Sequence, residues 1–197
     1  MKNLRGTKTS ENLLKSFAGE SQARNRYTYY ASVANKEGFK QIENFFIETA
    51  DNEKEHGKKI YKFLLAGLAD ELPTTIDIQA TYPVAQGSTF DNLKAAASGE
   101  NEEWSELYPS HAKVADEEGF PDIATSFRMI AAAEKNHEVR FSKLANNIDQ
   151  GTVFMKDGKT FWKCDNCGYI HEGTSAPEKC PACEHPKSYF EVFVENY

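Results

Sequence analysis

The stretch Glu48-Thr49-Ala50-Asp51-Asn52-Glu53-Lys54-Glu55-His56 closes on a Glu-x-x-His, and Glu134-Lys135-Asn136-His137 repeats that spacing 81 positions later. Residues three apart share one face of a helix, so each Glu/His pair points the same way. Matches run outward from both. Asn12-Leu13 recurs as Asn92-Leu93 and Gly19-Glu20 as Gly99-Glu100, at an offset of 80. From there the offset is 81: Tyr27 recurs as Tyr108, Ala31 as Ala112, Glu37-Gly38-Phe39 as Glu118-Gly119-Phe120, Ile42 as Ile123 and Phe46 as Phe127. One residue has therefore been gained between Glu100 and Tyr108, and a helix absorbs a single extra residue most easily as a π-turn. Tyr108 keeps the facing of Tyr27 only with such a turn, and Pro109 already removes one rung of the ladder. A π-bulge is expected within residues 100–108.

The repeat is bounded by helix signals. A first helix is expected from about Thr9 to Lys36, with Thr9 or Ser10 as N-cap and Gly38 as the stop. A second runs from about Lys40 to Ala66, with Ile42, Phe45, Phe46, Thr49 and Ala50 on one stripe. Residues 68–87 contain proline and no helical period. A third helix opens at Ser88, where Ser88 and Asp91 suit a capping box, and stops at Gly119; a fourth runs from Phe120-Pro121 to Gly151. Two copies of one hairpin joined by a long crossover predict an all-α four-helix bundle of the ferritin-like kind over residues 1–150. Residues 151–197 change texture, and a small β-rich domain is expected there. Thr152–Cys164 holds an Asp157-Gly158 turn signal, and the run from Tyr189 to Val194 alternates.

Distance along the helices tests whether the acidic residues meet. Glu20 lies 18 residues before Gly38, about 27 Å of helix, and Glu53 lies 15 after it, about 22 Å. Glu100 and Glu134 stand 19 and 15 residues from Gly119. All four come to one level of the bundle. A Glu from each of two helices, with Glu-x-x-His from each of the other two, is the pattern that holds two iron or two manganese ions. Hard carboxylates suit oxidised metal while neutral imidazole ligates terminally. Four carboxylates buried at one level without a cation would repel. A lone Glu-x-x-His reads most simply as solvated surface charge; two symmetric ones paired with Glu20 and Glu100 do not. Tyr27, seven after Glu20, returns to the metal face and could hydrogen-bond a ligating carboxylate; Tyr108 is its copy, and both read equally well as core tyrosines with satisfied hydroxyls. Glu103, three after Glu100, projects the same way where the first hairpin has Ala23. Glu102 and Glu106 read as solvated.

All four cysteines fall late, as Cys164-x-x-Cys167 and Cys180-x-x-Cys183 with 12 residues between the pairs. Two such knuckles hold one tetrahedral metal, zinc or iron, and spacing alone puts zinc ahead. The chain of 197 residues carries a net charge of −7, which argues against nucleic acid or an anionic membrane as partner. It has no apolar run of 18 residues and no apolar stretch with a cleavage site at its start, so a cytoplasmic protein is expected. No Gly-x-Gly-x-x-Gly occurs, so a reductant would come from another protein.

FAGESQARNRY (Phe17 to Tyr27), ETADNEKEH, the second Glu-x-x-His and the tail WKCDNCGYIHEGTSAPEKCPAC together resemble the rubrerythrin family along essentially the whole chain. The resemblance implies a ferritin-like di-iron bundle over residues 1–150 and a rubredoxin-like domain over residues 151–197 with one iron on four thiolates, which moves the tail metal from zinc to iron. It implies Glu20, Glu53, His56, Glu100, Glu103, Glu134 and His137 as di-iron ligands and Cys164, Cys167, Cys180 and Cys183 as ligands of the third iron. A peroxidase acting on hydrogen peroxide is implied, in which the carboxylates of Glu20, Glu53, Glu100, Glu103 and Glu134 and the Tyr27 hydroxyl serve the chemistry. So are a homodimer, a role in oxidative-stress defence, and an external donor such as rubredoxin or an NAD(P)H-dependent reductase. The family also exchanges ligands with redox state, which would set Glu103 against His56 at one iron. A ferroxidase or iron-storage protein, and an electron-transfer adaptor with a zinc ribbon, are the rival readings. The loop between the knuckles is shorter than in free-standing rubredoxins.

Overall fold

The computed structural model describes residues 2–196. Helix α1 (Lys8–Lys36) is capped two to three residues earlier than its sequence suggests, at Thr7, whose hydroxyl accepts the Ser10 amide at 3.1 Å. Thr9 and Ser10 are buried in the first turn instead. The Thr9 amide and hydroxyl are spent on the Glu118 carboxylate, at 2.7 and 2.5 Å, which staples α1 to the far end of the second hairpin. Helix α2 (Lys40–Gly67) returns antiparallel. Gly38 and Gly119, at φ 83° and 79°, make the two hairpin turns. Each turn is closed by the same bond, Phe39 N–H to the Ala34 carbonyl and Phe120 N–H to the Ala115 carbonyl, so the repeat extends to the backbone.

The crossover leads to α3 (Thr89–Glu102), where Ser88 and Asp91 form the expected capping box. A π-turn at Glu103–Leu107 follows, closed by the Tyr108 N–H on the Glu103 carbonyl, and then α4 (Tyr108–Glu117). The gained residue is accommodated there. Pro109 stands at the start of α4, directly after the turn, where a missing N–H costs least. Helix α5 (Pro121–Asp149) completes the bundle. Two apolar clusters fill it: Leu13, Ile60, Phe63, Tyr108 and Phe127 are in one, Tyr27, Tyr30, Phe46 and Phe141 in the other. The buried Glu20, Glu53, Glu100 and Glu134 occupy the sequence positions between the two clusters. No helix of the described residues is long and apolar enough to cross a membrane.

The tail is a three-stranded antiparallel sheet, β1 (Met155–Cys164), β2 (Ile170–Ser175) and β3 (Phe190–Val192), in the order β2-β1-β3. Asp157-Gly158 is not the hairpin turn its sequence suggests. It falls inside β1, within the irregular register between Met155 and Thr160. The chain reverses instead at the first cysteine knuckle, where Cys164 N–H bonds the Tyr169 carbonyl and Gly168 N–H the Cys164 carbonyl. Trp162, Ala176 and Phe190 pack with Cys164 and Cys180 as a third apolar cluster. The tail rests on its own α1–α2 turn, with Phe154 stacked on Phe39 and Asn44 donating to Asp165 at 2.9 Å.

Candidate metal centres

Inside the bundle the ligand atoms gather into two groups that share members. Glu20, Glu53, His56 and Glu134 form one; Glu53, Glu100, Glu134 and His137 form the other, each within 4.8 Å. Glu53 and Glu134 belong to both, so they are placed to bridge, while Glu20 with His56 and Glu100 with His137 flank the two ends. Two adjoining positions with two shared carboxylates fit two metal ions rather than one. The His56 Nδ1 lies 2.9 Å from both Glu53 and Glu134; the His137 Nδ1 lies 2.8, 3.2 and 3.4 Å from Glu134, Glu53 and Glu100.

The protein alone leaves this layer under-satisfied. Oxygen atoms of Glu20, Glu53, Glu100 and both of Glu134, with the Nδ1 of His137, are buried without a hydrogen bond of adequate geometry. Acceptors outnumber donors, which is what a site built for cations looks like. Burial lifts the Glu20 carboxyl well above its ordinary range, with Glu53 and Glu134 adding repulsion, and lifts Glu100 to about 8. Burial also opposes ionisation of Glu53, yet His137 and His56 outweigh it and hold that carboxyl at about 2. The imidazoles answer in kind: against burial, the surrounding carboxylates raise His56 to about 10 and His137 to about 12. Without metal, protons on these rings stand where cations would otherwise sit.

The two tyrosines cross. Tyr27 of α1 donates to Glu100 of the second hairpin, and Tyr108 donates to Glu20 of the first, so each hairpin holds the other's carboxylate. Burial, with the neighbouring carboxylates, raises both hydroxyls far above their usual range and keeps them protonated. Glu103, read from sequence as a seventh ligand, is in neither group. It is half-buried and lines a cavity beside Tyr108 and His111, and Glu102 and Glu106 are exposed. The sequence reading passed over Asn52, whose side chain meets His137 Nε2 at 3.3 Å and orients that ring. Its partner at the offset of 81 is Ala133, so the repeat carried no signal for it. Gly57 was also missed; a Cβ there would stand 3.4 Å from the Cβ of Glu20, so glycine lets α2 approach α1 at the ligand level.

In the tail all four sulfurs lie within 4.8 Å of one another, with Cys164–Cys183 and Cys167–Cys180 at 3.7 Å and none joined in a disulfide. The knuckles are built alike. Cys164 N–H bonds the Tyr169 carbonyl and Cys180 N–H that of His185; Gly168 and Glu184 N–H bond the carbonyls of Cys164 and Cys180. The His185 amide draws the Cys183 thiol down to about 6, so one thiolate is already formed at neutral pH.

A family model described as Rubrerythrin matches residues 11–145. A second, described as the rubredoxin-like domain of rubrerythrin, matches residues 162–191. The chain belongs to the rubrerythrin family. It is 61% identical to rubrerythrin of Clostridium perfringens and 50% identical to rubrerythrin of Nitratidesulfovibrio vulgaris, each over all of both chains. Among solved structures it resembles nigerythrin in its mixed-valence state, with a TM-score of 0.62 and 33% identity over 98% of this chain and 92% of that one. A Desulfovibrio desulfuricans bacterioferritin, 20% identical over 74% of this chain and 82% of that one, has a TM-score of 0.65 and shares the fold of the bundle. As in other rubrerythrins, the chain joins a di-iron carboxylate–histidine site to a rubredoxin-like four-cysteine iron site.

Proposed function

We propose that the protein is a non-haem di-iron peroxidase that reduces hydrogen peroxide to water and draws its electrons through the four-cysteine site. The observation that carries this reading is the pairing, in one chain, of a two-position carboxylate–histidine site with a closed tetrathiolate site. Bound iron would supply the redox chemistry, two electrons at the bundle pair and a one-electron relay at the thiolates. The balance is HOOH + 2 H⁺ + 2 e⁻ → 2 H₂O, in which the O–O bond breaks and each oxygen gains a proton. Glu20, Glu53, Glu100, Glu134, His56 and His137 hold the pair, with Glu103 close by as the seventh proposed ligand. Tyr27 and Tyr108 fix the terminal carboxylates Glu100 and Glu20 by hydrogen bonds. The Tyr27 hydroxyl, kept protonated by burial, donates to Glu100, a ligand of the second position, and can hold a proton there. The four sulfurs leave no open coordination position, which suits electron transfer and excludes substrate binding there.

The reading includes a homodimer, a cytoplasmic setting, a role in oxidative-stress defence, and a protein electron donor such as a rubredoxin or an NAD(P)H-dependent reductase. Metal analysis tests it first: loaded protein should contain three irons per chain. Replacing Cys164 and Cys167 by Ser should remove the visible ferric-thiolate band, keep the bundle irons, and abolish rubredoxin-dependent peroxide turnover. Turnover at the parental rate in that variant would rule out the relay. A large cage in solution would favour iron storage instead.

A further inference from the structure

The duplication breaks at one position that the ligands leave unused. At the offset of 81, Tyr27, Tyr30 and Phe46 correspond to Tyr108, His111 and Phe127. In the first half the three rings pack together and the Tyr30 hydroxyl reaches out to the Ala85 carbonyl at 2.6 Å. In the second half the corresponding residue is His111. It packs edge-on against Tyr108 and Phe127 and meets the Ser16 hydroxyl at 3.1 Å. A shorter side chain stands there, and a cavity of about 260 Å³ opens beside it.

Ser16, Glu103, Tyr108 and His111 line its inner part. Tyr108 donates to Glu20, so the cavity is one hydroxyl away from the ligand set. The π-turn supplies the wall that carries Glu103 and Leu107. Arg26 also lines it, its Nε held by the Gln22 side chain at 2.6 Å. The outer side is formed by residues 79–83 of the crossover, held down where the Tyr82 hydroxyl donates to the Lys15 carbonyl at 2.7 Å. The Tyr82 ring sits over Gly19, where a Cβ would touch it at 3.7 Å.

We propose that this cavity is the pocket in which a small hydroperoxide binds on its way to the iron pair, and that Tyr82 sets the size it admits. The choice of hydroperoxide as ligand rests on the peroxidase reading; the route does not. Hydrogen peroxide donates twice and accepts at both oxygens. The cavity offers an acceptor at Glu103 and a cationic donor group at Arg26, with the Ser16–His111 pair able to do either. Its volume takes several water-sized molecules, a liquid water occupying about 30 Å³. An apolar ligand would leave all of these polar groups unpaired.

Two exposed crossover positions test the route without touching a ligand. Tyr82→Ala removes the ring over the mouth, and Ala80→Trp adds bulk beside it. With each variant iron-loaded and its melting temperature matched to the parent, azide association with the diferric site is followed by its optical band. Tyr82→Ala should accelerate association and Ala80→Trp should slow it, each several-fold. In turnover, Tyr82→Ala should raise kcat/KM for cumene hydroperoxide relative to hydrogen peroxide by roughly tenfold, the scale on which pocket sterics discriminate. Azide rates unchanged in both variants, or no azide band in loaded parent, would overturn the pocket. Access would then lie in the shallow α1–α2 hollow beside Glu53 and Gly57. Azide rates that respond as expected in a protein that turns over no peroxide would sustain the route and defeat the peroxidase reading.

Discussion

Burial holds the His111 imidazole down at about 4, with the positive charges of Lys15 and Lys8 adding to the effect. An ordinary histidine takes up its proton near 6.5, so between these two values the unfolded chain binds a proton that the folded chain refuses. Stability from this residue is therefore complete above pH 6.5 and is lost as pH falls toward 4. The gap amounts to something on the order of 3 kcal/mol. A His111→Gln variant keeps a polar partner for Ser16 but cannot take up the proton. Urea unfolding of both proteins from pH 7 to 4.5 cancels the contribution of the metal ligands, which they share. The stability difference between parent and variant should shrink steadily on acidification. A constant difference would mean that His111 is not held neutral by the fold. The same scale explains the crossed tyrosines: a hydroxyl whose charged form is penalised by burial is a dependable donor to a carboxylate at every working pH.

Among the elements, the two cysteine knuckles share one backbone path but not one sequence. Each turns through a left-handed residue after its second cysteine, Gly168 at φ 78° and Glu184 at φ 62°. Glycine adopts that region freely, whereas a side chain there costs about 1 kcal/mol. The ion pair of Glu184 with Lys179, at 3.1 Å and solvent-exposed, offsets little of this. Glu184→Gly should raise the temperature at which the visible thiolate band is lost, and Gly168→Ala should lower it. A Glu184→Gly tail that melts earlier than the parent would show that the side chain is held by more than its ion pair. Both the bundle and this tail were legible from spacing, since an offset, a Glu-x-x-His and a Cys-x-x-Cys are local or periodic signals. The π-turn was legible for the same reason, as an arithmetic step in the repeat. What could not be read depends on contacts between distant segments. Thr7 caps α1 because Glu118 claims Thr9, Tyr27 finds the Glu of the opposite hairpin, and Asn52 orients a histidine 85 residues away. Asp157-Gly158 misled because the dipeptide is taken up in an irregular part of β1, and the pairing with β2 turns back only between Lys163 and Ile170.

The tail of the whole molecule lies against the end of its own bundle. Asp165, next to Cys164, is held by Asn44, and Asn44 precedes Glu53 by nine residues on α2, about 13 Å of helix. Between Asn44 and Glu53, α2 carries exposed positions such as Ile47 and Glu48 and buried ones such as Phe46, Thr49 and Ala50. A head-to-tail dimer would instead set each tail against the partner's bundle, and closed two-fold symmetry would make both such pairings equal. In the proposed peroxidase, electrons then cross between subunits. Mixed dimers decide the matter. One chain carries Glu53→Ala and keeps its cysteines; the other carries Cys180→Ser and keeps its carboxylates. No chain then has both sites intact, but one tail and the opposite bundle do. With iron content measured in both halves, the mixed dimer should retain about half the parental donor-dependent turnover, one of two equivalent pairings being intact. Each homodimer should have almost none. Mixed dimers as inactive as the homodimers would mean that electrons stay within the chain, by way of Asn44 and α2.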